Sequence, residues 1–301
     1  MIIYHEGWLH NKNEIGLSLL EKEGFYILKD TSPHITPDLV CIFDRIIDVR
    51  VIRNLENYDG PVIFGPHFFL FREGYIYKKD LNSFVDDRLF SGDKPYYYNL
   101  LSEWNSLLAQ DICGFPAQSA ISLPFPVEVN RFCPEEKTGR PVVYFKNRDP
   151  EILKDVLGYL GDPFDKGQFS FFSVGKGYKE EDFLEAVSKA PYCIWIGCHE
   201  SQGFALQETL SCDTPIFVIN IRSLREEFES MWSPSECVPG HSLLATSAPY
   251  FDESCGLITY PETYKDDFSV FLDNLSNYSP RDFILKNLSP KACKALWERY
   301  V

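Results

Sequence analysis

The chain has 301 residues, enough for two domains of ordinary size. With 45% hydrophobic and 15% aromatic residues it can bury a sizeable core, which excludes intrinsic disorder. A formal net charge of −15 opposes non-specific binding to nucleic-acid phosphates, while leaving room for a nucleotide-sized ligand in a locally positive pocket. Nine cysteines are scattered without a CxxC, which argues against a zinc site or a disulfide framework and for reduced thiols in a cytosolic protein. The opening MIIYHEGWLH is too short and polar for a signal peptide, and no apolar run is long enough to span a bilayer.

Residues 2–4 read as a first strand, followed by a loop with Gly7 and an amphipathic helix through Ile15, Leu19 and Leu20 that ends at Gly24. Gly7 and Gly16 are candidates for close backbone approach to a ligand, or plain turn glycines. A strand begins at 25–28, and 38–43 and 61–64 read as buried strands. The second runs into Gly65, Pro66 and His67, a tight turn that projects His67 from a strand end. The aromatic stretch 68–77 fits either strand or core packing. Residues 95–110 open with three tyrosines and continue as a helix around Leu100, Trp104, Leu107 and Leu108, and 120–123 closes the first domain as a strand. Three prolines in 124–134 predict an extended connector.

In the second half, 141–145 reads as a strand with Lys146 and Arg148 at its carboxyl end, before a helix over 150–160. A strand over 169–174 leads into Gly175, Lys176, Gly177 and Tyr178, then a helix over 179–188 whose acidic first turn suits the helix dipole. The organising stretch is 193–215. An apolar run at 193–196 reads as a buried parallel strand, 198–202 as a polar loop, and Gly203 as the start of a helix that stops near Asp213. Pro215 then introduces the strand 216–219. Beyond it, 222–232 reads as helix, 242–256 as loop, and 266–275 and 281–300 as terminal helices. Internal repeats are absent.

The chemistry of the organising stretch is specific. Gly203 admits close approach, and the free amides of Gly203, Phe204 and Ala205 at a helix start attract phosphate. Glu200 precedes them and Glu208 lies inside the helix, on the face it shares with Phe204. Carboxylates on either side of such an amide cluster suit a nucleotide sugar, one accepting from sugar hydroxyls and the other from the ribose diol. Spacing alone is not diagnostic, because Glu6/Glu14 and Glu128/Glu136 share it without a buried strand before and a glycine-opened helix after. The alternative is an ordinary βαβ unit whose glutamates face solvent.

Glu200 and Glu208, with a glycine three residues after the first, resemble the E-x7-E motif of retaining GT-B glycosyltransferases such as glycogen synthases and the large bacterial family of α-glycosyltransferases. The string HESQGFALQE is also similar to virus-encoded members. The family's glycine after the helix is replaced here by Asp213, a residue that tolerates the left-handed conformation. The segment from Val129 to Pro134 is similar to the interdomain "D-x-x-R-F-x-P" of the same superfamily.

This resemblance implies an α/β chain of GT-B type: two Rossmann-like domains with parallel sheets facing a central cleft. The domains would be an acceptor-side domain at 1–125 and a nucleotide-sugar-binding domain at 126–275, with terminal helices at 276–301 crossing back to the first. It implies a metal-independent hexosyltransferase that moves a sugar from a nucleotide-sugar donor to a hydroxyl on a glycan or glycoconjugate, with retention. The sequence has no DxD, which suits a fold that handles the leaving group without a metal, and no cofactor or metal is expected. By the same resemblance Glu200 orients the sugar and His67 is the catalytic candidate of the first domain. A histidine packed among Phe64, Phe68, Phe69 and Phe71 is the competing reading. Lys146, Arg148, Tyr178, Ser201, Gln202, Gly203, Phe204, Ala205 and Glu208 would bind the donor. The expected setting is the cytoplasm, that of a host if the chain is viral. Alternatives are a nucleotide-sugar epimerase of the same architecture and a non-catalytic nucleotide or sugar binder.

Overall fold

The computed structural model describes residues 1–29, 36–43, 57–66, 88–92, 94–161, 167–227 and 243–301. The chain divides into two compact units. The first is built from Met1–Pro126 and Pro290–Val301, the second from Val127–Ser233 and Leu243–Ser289.

The first unit holds a six-stranded parallel sheet in the order β2-β1-β3-β4-β5-β6. Its strands are β1 (Ile2–Glu6), β2 (Tyr26–Lys29), β3 (Leu39–Ile42), β4 (Val62–Phe64), β5 (Tyr96–Asn99) and β6 (Ala120–Ile121). The central strands β3 and β4 are wholly buried, which is why they read as continuous apolar runs. Helix α1 (Asn11–Lys22) is capped by His10, whose Nδ1 accepts from the Lys12 amide at 3.3 Å.

The three tyrosines at 96–98 form β5, not the start of a helix. Consecutive aromatics fit a pleated surface, where Tyr96 and Tyr98 bury on one face. Leu101 then takes a left-handed turn (φ 69°) before α2 (Glu103–Cys113). Buried Asn99 fixes that turn: its Oδ1 accepts from the amides of Leu101 (2.9 Å) and Leu123 (3.0 Å), and its Nδ2 donates to the Leu123 carbonyl.

The second unit holds a five-stranded parallel sheet in the order β11-β10-β9-β7-β8. Its strands are β7 (Val142–Phe145), β8 (Ser170–Ser173), β9 (Cys193–Ile196), β10 (Ile216–Ile219) and β11 (Gly256–Thr259). Its helices are α3 (Pro150–Tyr159), α4 (Glu180–Lys189), α5 (Phe204–Ser211), α6 (Tyr264–Asp273) and α7 (Pro280–Asn287); α8 (Pro290–Trp297) belongs to the first unit. One face of the sheet packs Val143, Ile194, Ile196, Phe217 and Ile219 against Tyr264, Phe268 and Phe271 of α6. On the other, Tyr144 and Trp195, paired in register, stack with ring centroids 3.9 Å apart and planes 7° apart. Phe183 of α4 packs against Tyr144.

β11 begins at the last residue of the stretch read as loop, and as a four-residue edge strand it offers almost no period to read in sequence. Two expectations need correction here. The terminal helix expected over 281–300 is two, since Pro290 cannot continue a helix and opens α8 instead. Of the helix expected over 222–232, the described residues 222–227 hold only a 3-10 turn at Leu224–Glu226, and 228–232 lie outside the described residues. Among the described residues no helix is long and apolar enough to cross a membrane.

Candidate functional site

Sheet order places the site. From β7 the chain steps outward to β8, then returns to lay β9 on the other side of β7 and continues to β10 and β11. The crossovers leaving β7 and β9 therefore run in opposite directions. A crevice opens beyond the carboxyl ends of two such neighbouring strands, where open α/β sheets bind ligands. Lys146 follows β7 directly, and Glu200 sits in the loop after β9.

These two side chains meet. Lys146 Nζ donates to Glu200 Oε1 at 2.7 Å, with both side chains largely buried. Burial works against the lysine charge, but the Glu200 carboxylate outweighs it and holds the Lys146 pKa above the ordinary range. Lys146 is thus a fixed cation. Its ammonium has three N–H donors, and Glu200 takes one.

Gly203 is the N-cap of α5, with φ 79° and ψ 51°, and no side chain caps the helix start. Two glutamines hold the loop to the helix: Gln202 Nε2 donates to Gln207 Oε1 (3.1 Å), and Gln207 Nε2 donates to the Gln202 carbonyl (2.5 Å). The Glu200 amide donates to the Thr246 carbonyl at 3.1 Å, a second anchor. Glu208 lies within α5 and is buried, while Ser201, Phe204 and Ala205 are half-buried around the helix start. Asp213 adopts φ 55°, the left-handed turn that ends the helix region.

Tyr178 is partly exposed and contacts the Tyr144 ring edge-on; the two hydroxyls are hydrogen-bonded. Burial raises the Tyr178 pKa, and the hydrogen bond with Tyr144 opposes that rise. Arg148 is only 2% exposed, and its Nη1 donates to the Gly197 carbonyl at 3.3 Å. Burial lowers its pKa, and Glu226, Cys198 and Glu227 counter the loss. Its guanidinium therefore braces the end of β9. Gly197 is confined by packing, since a Cβ there would lie 2.5 Å from Trp195 Nε1.

The structure thus gathers Lys146, Arg148, Tyr178, Ser201, Gln202, Gly203, Phe204, Ala205, Glu200 and Glu208 into one unit around the ends of β7 and β9. His67 lies outside the described residues. Sequence reading did not single out Cys198, His199 or Glu227. The His199 amide donates to Glu227 Oε1 at 3.0 Å, and the His199 ring pairs with the same oxygen. Burial pushes the Cys198 thiol up to about 12. Cys198 and His199 are visible in the loop after β9, but Glu227 is 28 positions beyond His199 and no spacing rule reaches it.

Two parallel sheets of six and five strands with flanking helices make this the two-domain α/β fold of GT-B glycosyltransferases. No family model matches the sequence, and no characterised protein matches it by sequence similarity. Among solved structures, the chain is similar to the lipopolysaccharide outer core galactosyltransferase WaaB (11% identity, TM-score 0.54, 99% of this chain and 98% of that one). It is also similar to a glycosyltransferase from Rickettsia africae (9%, 0.57, 99% and 97%) and a sucrose-phosphate synthase from Thermosynechococcus elongatus (10%, 0.54, 99% and 98%). At such identities the likeness is one of fold.

Proposed function

We propose that the protein is a glycosyltransferase that moves a sugar from a nucleotide-sugar donor to a hydroxyl of a glycan or glycoconjugate. The observation that carries this reading is the meeting of Lys146 and Glu200 beside the start of α5, at the strand-order reversal of a GT-B unit. In transfer, negative charge develops on the departing diphosphate. Fixed donors aimed at that charge stabilise it without reorganising during reaction. The amides of Phe204 and Ala205 and the remaining donors of Lys146 supply this role, with no metal needed at the phosphates. Glu200, held by Lys146 and by its anchored backbone, accepts from the sugar hydroxyls. Glu208 accepts from the ribose diol, and Tyr178 lines the same edge. Retention at the anomeric carbon is part of the proposal and rests on the sequence resemblance.

The test is thermal stabilisation by UDP-, GDP-, ADP- and CMP-linked sugars, on the wild type and on Glu208→Ala. A ligand that binds only the native state adds about 2.7 kcal/mol of stability at a hundred times its Kd, and so raises the melting temperature. One nucleotide class should stabilise the wild type and lose most of that effect in the variant. A well-folded wild type that responds to none of the four classes refutes the donor site.

A further inference from the structure

Beside Glu200 the structure brings together three donors that the proposed transfer does not use. Cys198 Sγ, a His199 ring nitrogen and a Glu227 carboxylate oxygen all lie within 4.8 Å of one another. They come from two separate segments, the loop after β9 and the 3-10 turn at Leu224–Glu226 with the residue that follows it. Cys198 and the Glu227 side chain are each about 4% exposed, while the His199 side chain keeps 31% of its surface.

We infer that Cys198, His199 and Glu227 form a three-ligand site for a zinc-class divalent ion. A His–carboxylate pair alone requires only two groups, and Arg148 already offers charge to Glu227. The third converging donor is a sulfur, which adds little to an ion pair but a great deal to a borderline-soft metal. Thiolate, imidazole and carboxylate bind Zn2+ at about 2.0–2.3 Å, so tetrahedral ligand atoms sit roughly 3.6 Å apart. The three atoms already lie within 4.8 Å of one another, and the hydrogen-bonded His199–Glu227 pair must open to admit an ion between them. A thiolate–imidazole pair also selects against Mg2+ and Ca2+, which take oxygen ligands.

The His199 nitrogen facing Glu227 is Nδ1, so Nδ1 is the metal-binding atom. On binding, the ion displaces the thiol proton of Cys198 and takes the place of the His199–Glu227 hydrogen bond. Two anionic ligands and a divalent ion leave the site neutral, which suits its burial. Three protein ligands leave a fourth position for water. The ion would staple the loop that carries Glu200 to the segment ending at Glu227. The inference stands independently of the donor chemistry.

The experiment is a Co2+ titration of metal-stripped protein, in a Cys133→Ser background that removes an exposed competing thiol. The expected result is one equivalent bound. A thiolate-to-cobalt charge-transfer band should appear in the near ultraviolet with tetrahedral d–d bands in the visible, all displaced by equimolar Zn2+. Cys198→Ser should abolish the charge-transfer band. His199→Gln and Glu227→Gln should weaken binding at least tenfold, since even partners of metal ligands change affinity by about 10–100-fold. No charge-transfer band, or one that survives Cys198→Ser, overturns the site. If Cys198→Ser does not fold, His199→Gln decides: wild-type affinity there overturns it equally.

Discussion

At the scale of single residues, Gly203 and Gly197 are glycines for opposite reasons. At Gly203 space is available, since a Cβ would meet Glu200 Cβ and Pro249 Cγ at an ordinary 3.4 Å, but φ of 79° is left-handed. That conformation costs an L-residue roughly 1–2 kcal/mol. Gly203→Ala should therefore lower the free energy of unfolding by about that amount in a urea titration. Gly203→Asn should recover part of the loss, because asparagine accepts left-handed backbone. An alanine variant as stable as wild type would show that the loop adopts another conformation. At Gly197 the obstacle is the rigid Trp195 indole, so alanine there must disturb the Tyr144–Trp195 stack instead. Sequence alone marks both positions as glycine and distinguishes neither cause.

At the scale of elements, α5 is eight residues long, and its two ends are treated differently. Its start has no side-chain cap, while its end is held by two cations. Lys137 Nζ donates to the carbonyls of Cys212 (2.7 Å) and Ser188 (3.2 Å) and to Thr214 Oγ1 (2.7 Å), so it closes the ends of both α4 and α5. Arg281 of α7 donates to the carbonyls of Ser211, Phe132 and Val129. Positive charge is favourable at a helix carboxyl end. Burial nonetheless lowers the Lys137 pKa, so this contact is held against a desolvation cost. Lys137→Met keeps the stem and removes the donors, leaving buried carbonyls without this partner. It should destabilise the protein by about 1–3 kcal/mol in chemical denaturation; an unchanged midpoint would mean water replaces the ammonium fully. The central strands were legible because β9 and β10 are buried on both faces and so read as unbroken apolar runs. β5 was misread because aromatics serve helix and strand cores alike, and only the Asn99 turn separates the two elements. Lys146 and Glu200 could each be flagged from position after a strand. Their contact depends on β7 and β9 being neighbours, which is a property of sheet order.

At the scale of the whole molecule, the chain leaves its first unit after Pro126 and returns to it for the last twelve residues, Pro290–Val301. Those residues are tied in by specific contacts. Trp297 is fully buried, donates from Nε1 to the Pro124 carbonyl at 3.0 Å, and packs on Phe125 with ring centroids 5.4 Å apart. Phe125 in turn fills the space left by Gly16 of α1, where a Cβ would lie 2.7 Å from Phe125 Cβ. Lys294 Nζ donates to the Glu23 carbonyl at the end of α1 (2.7 Å), and Tyr300 meets Tyr97 of β5 edge-on. The terminus is therefore part of the first unit's core. Trp297→Ala should cost about 3–5 kcal/mol, the usual range for emptying a buried tryptophan site. Trp297→Phe should cost less, because it retains the ring contact and loses the hydrogen bond. The donor residues proposed above all lie in the second unit, so below the melting transition the variant should bind nucleotide with unchanged affinity. Measuring both quantities on one preparation separates the two roles. A large loss of stability at constant Kd assigns the terminus to the first unit's core alone, and a matching loss of affinity would show that the donor site depends on it.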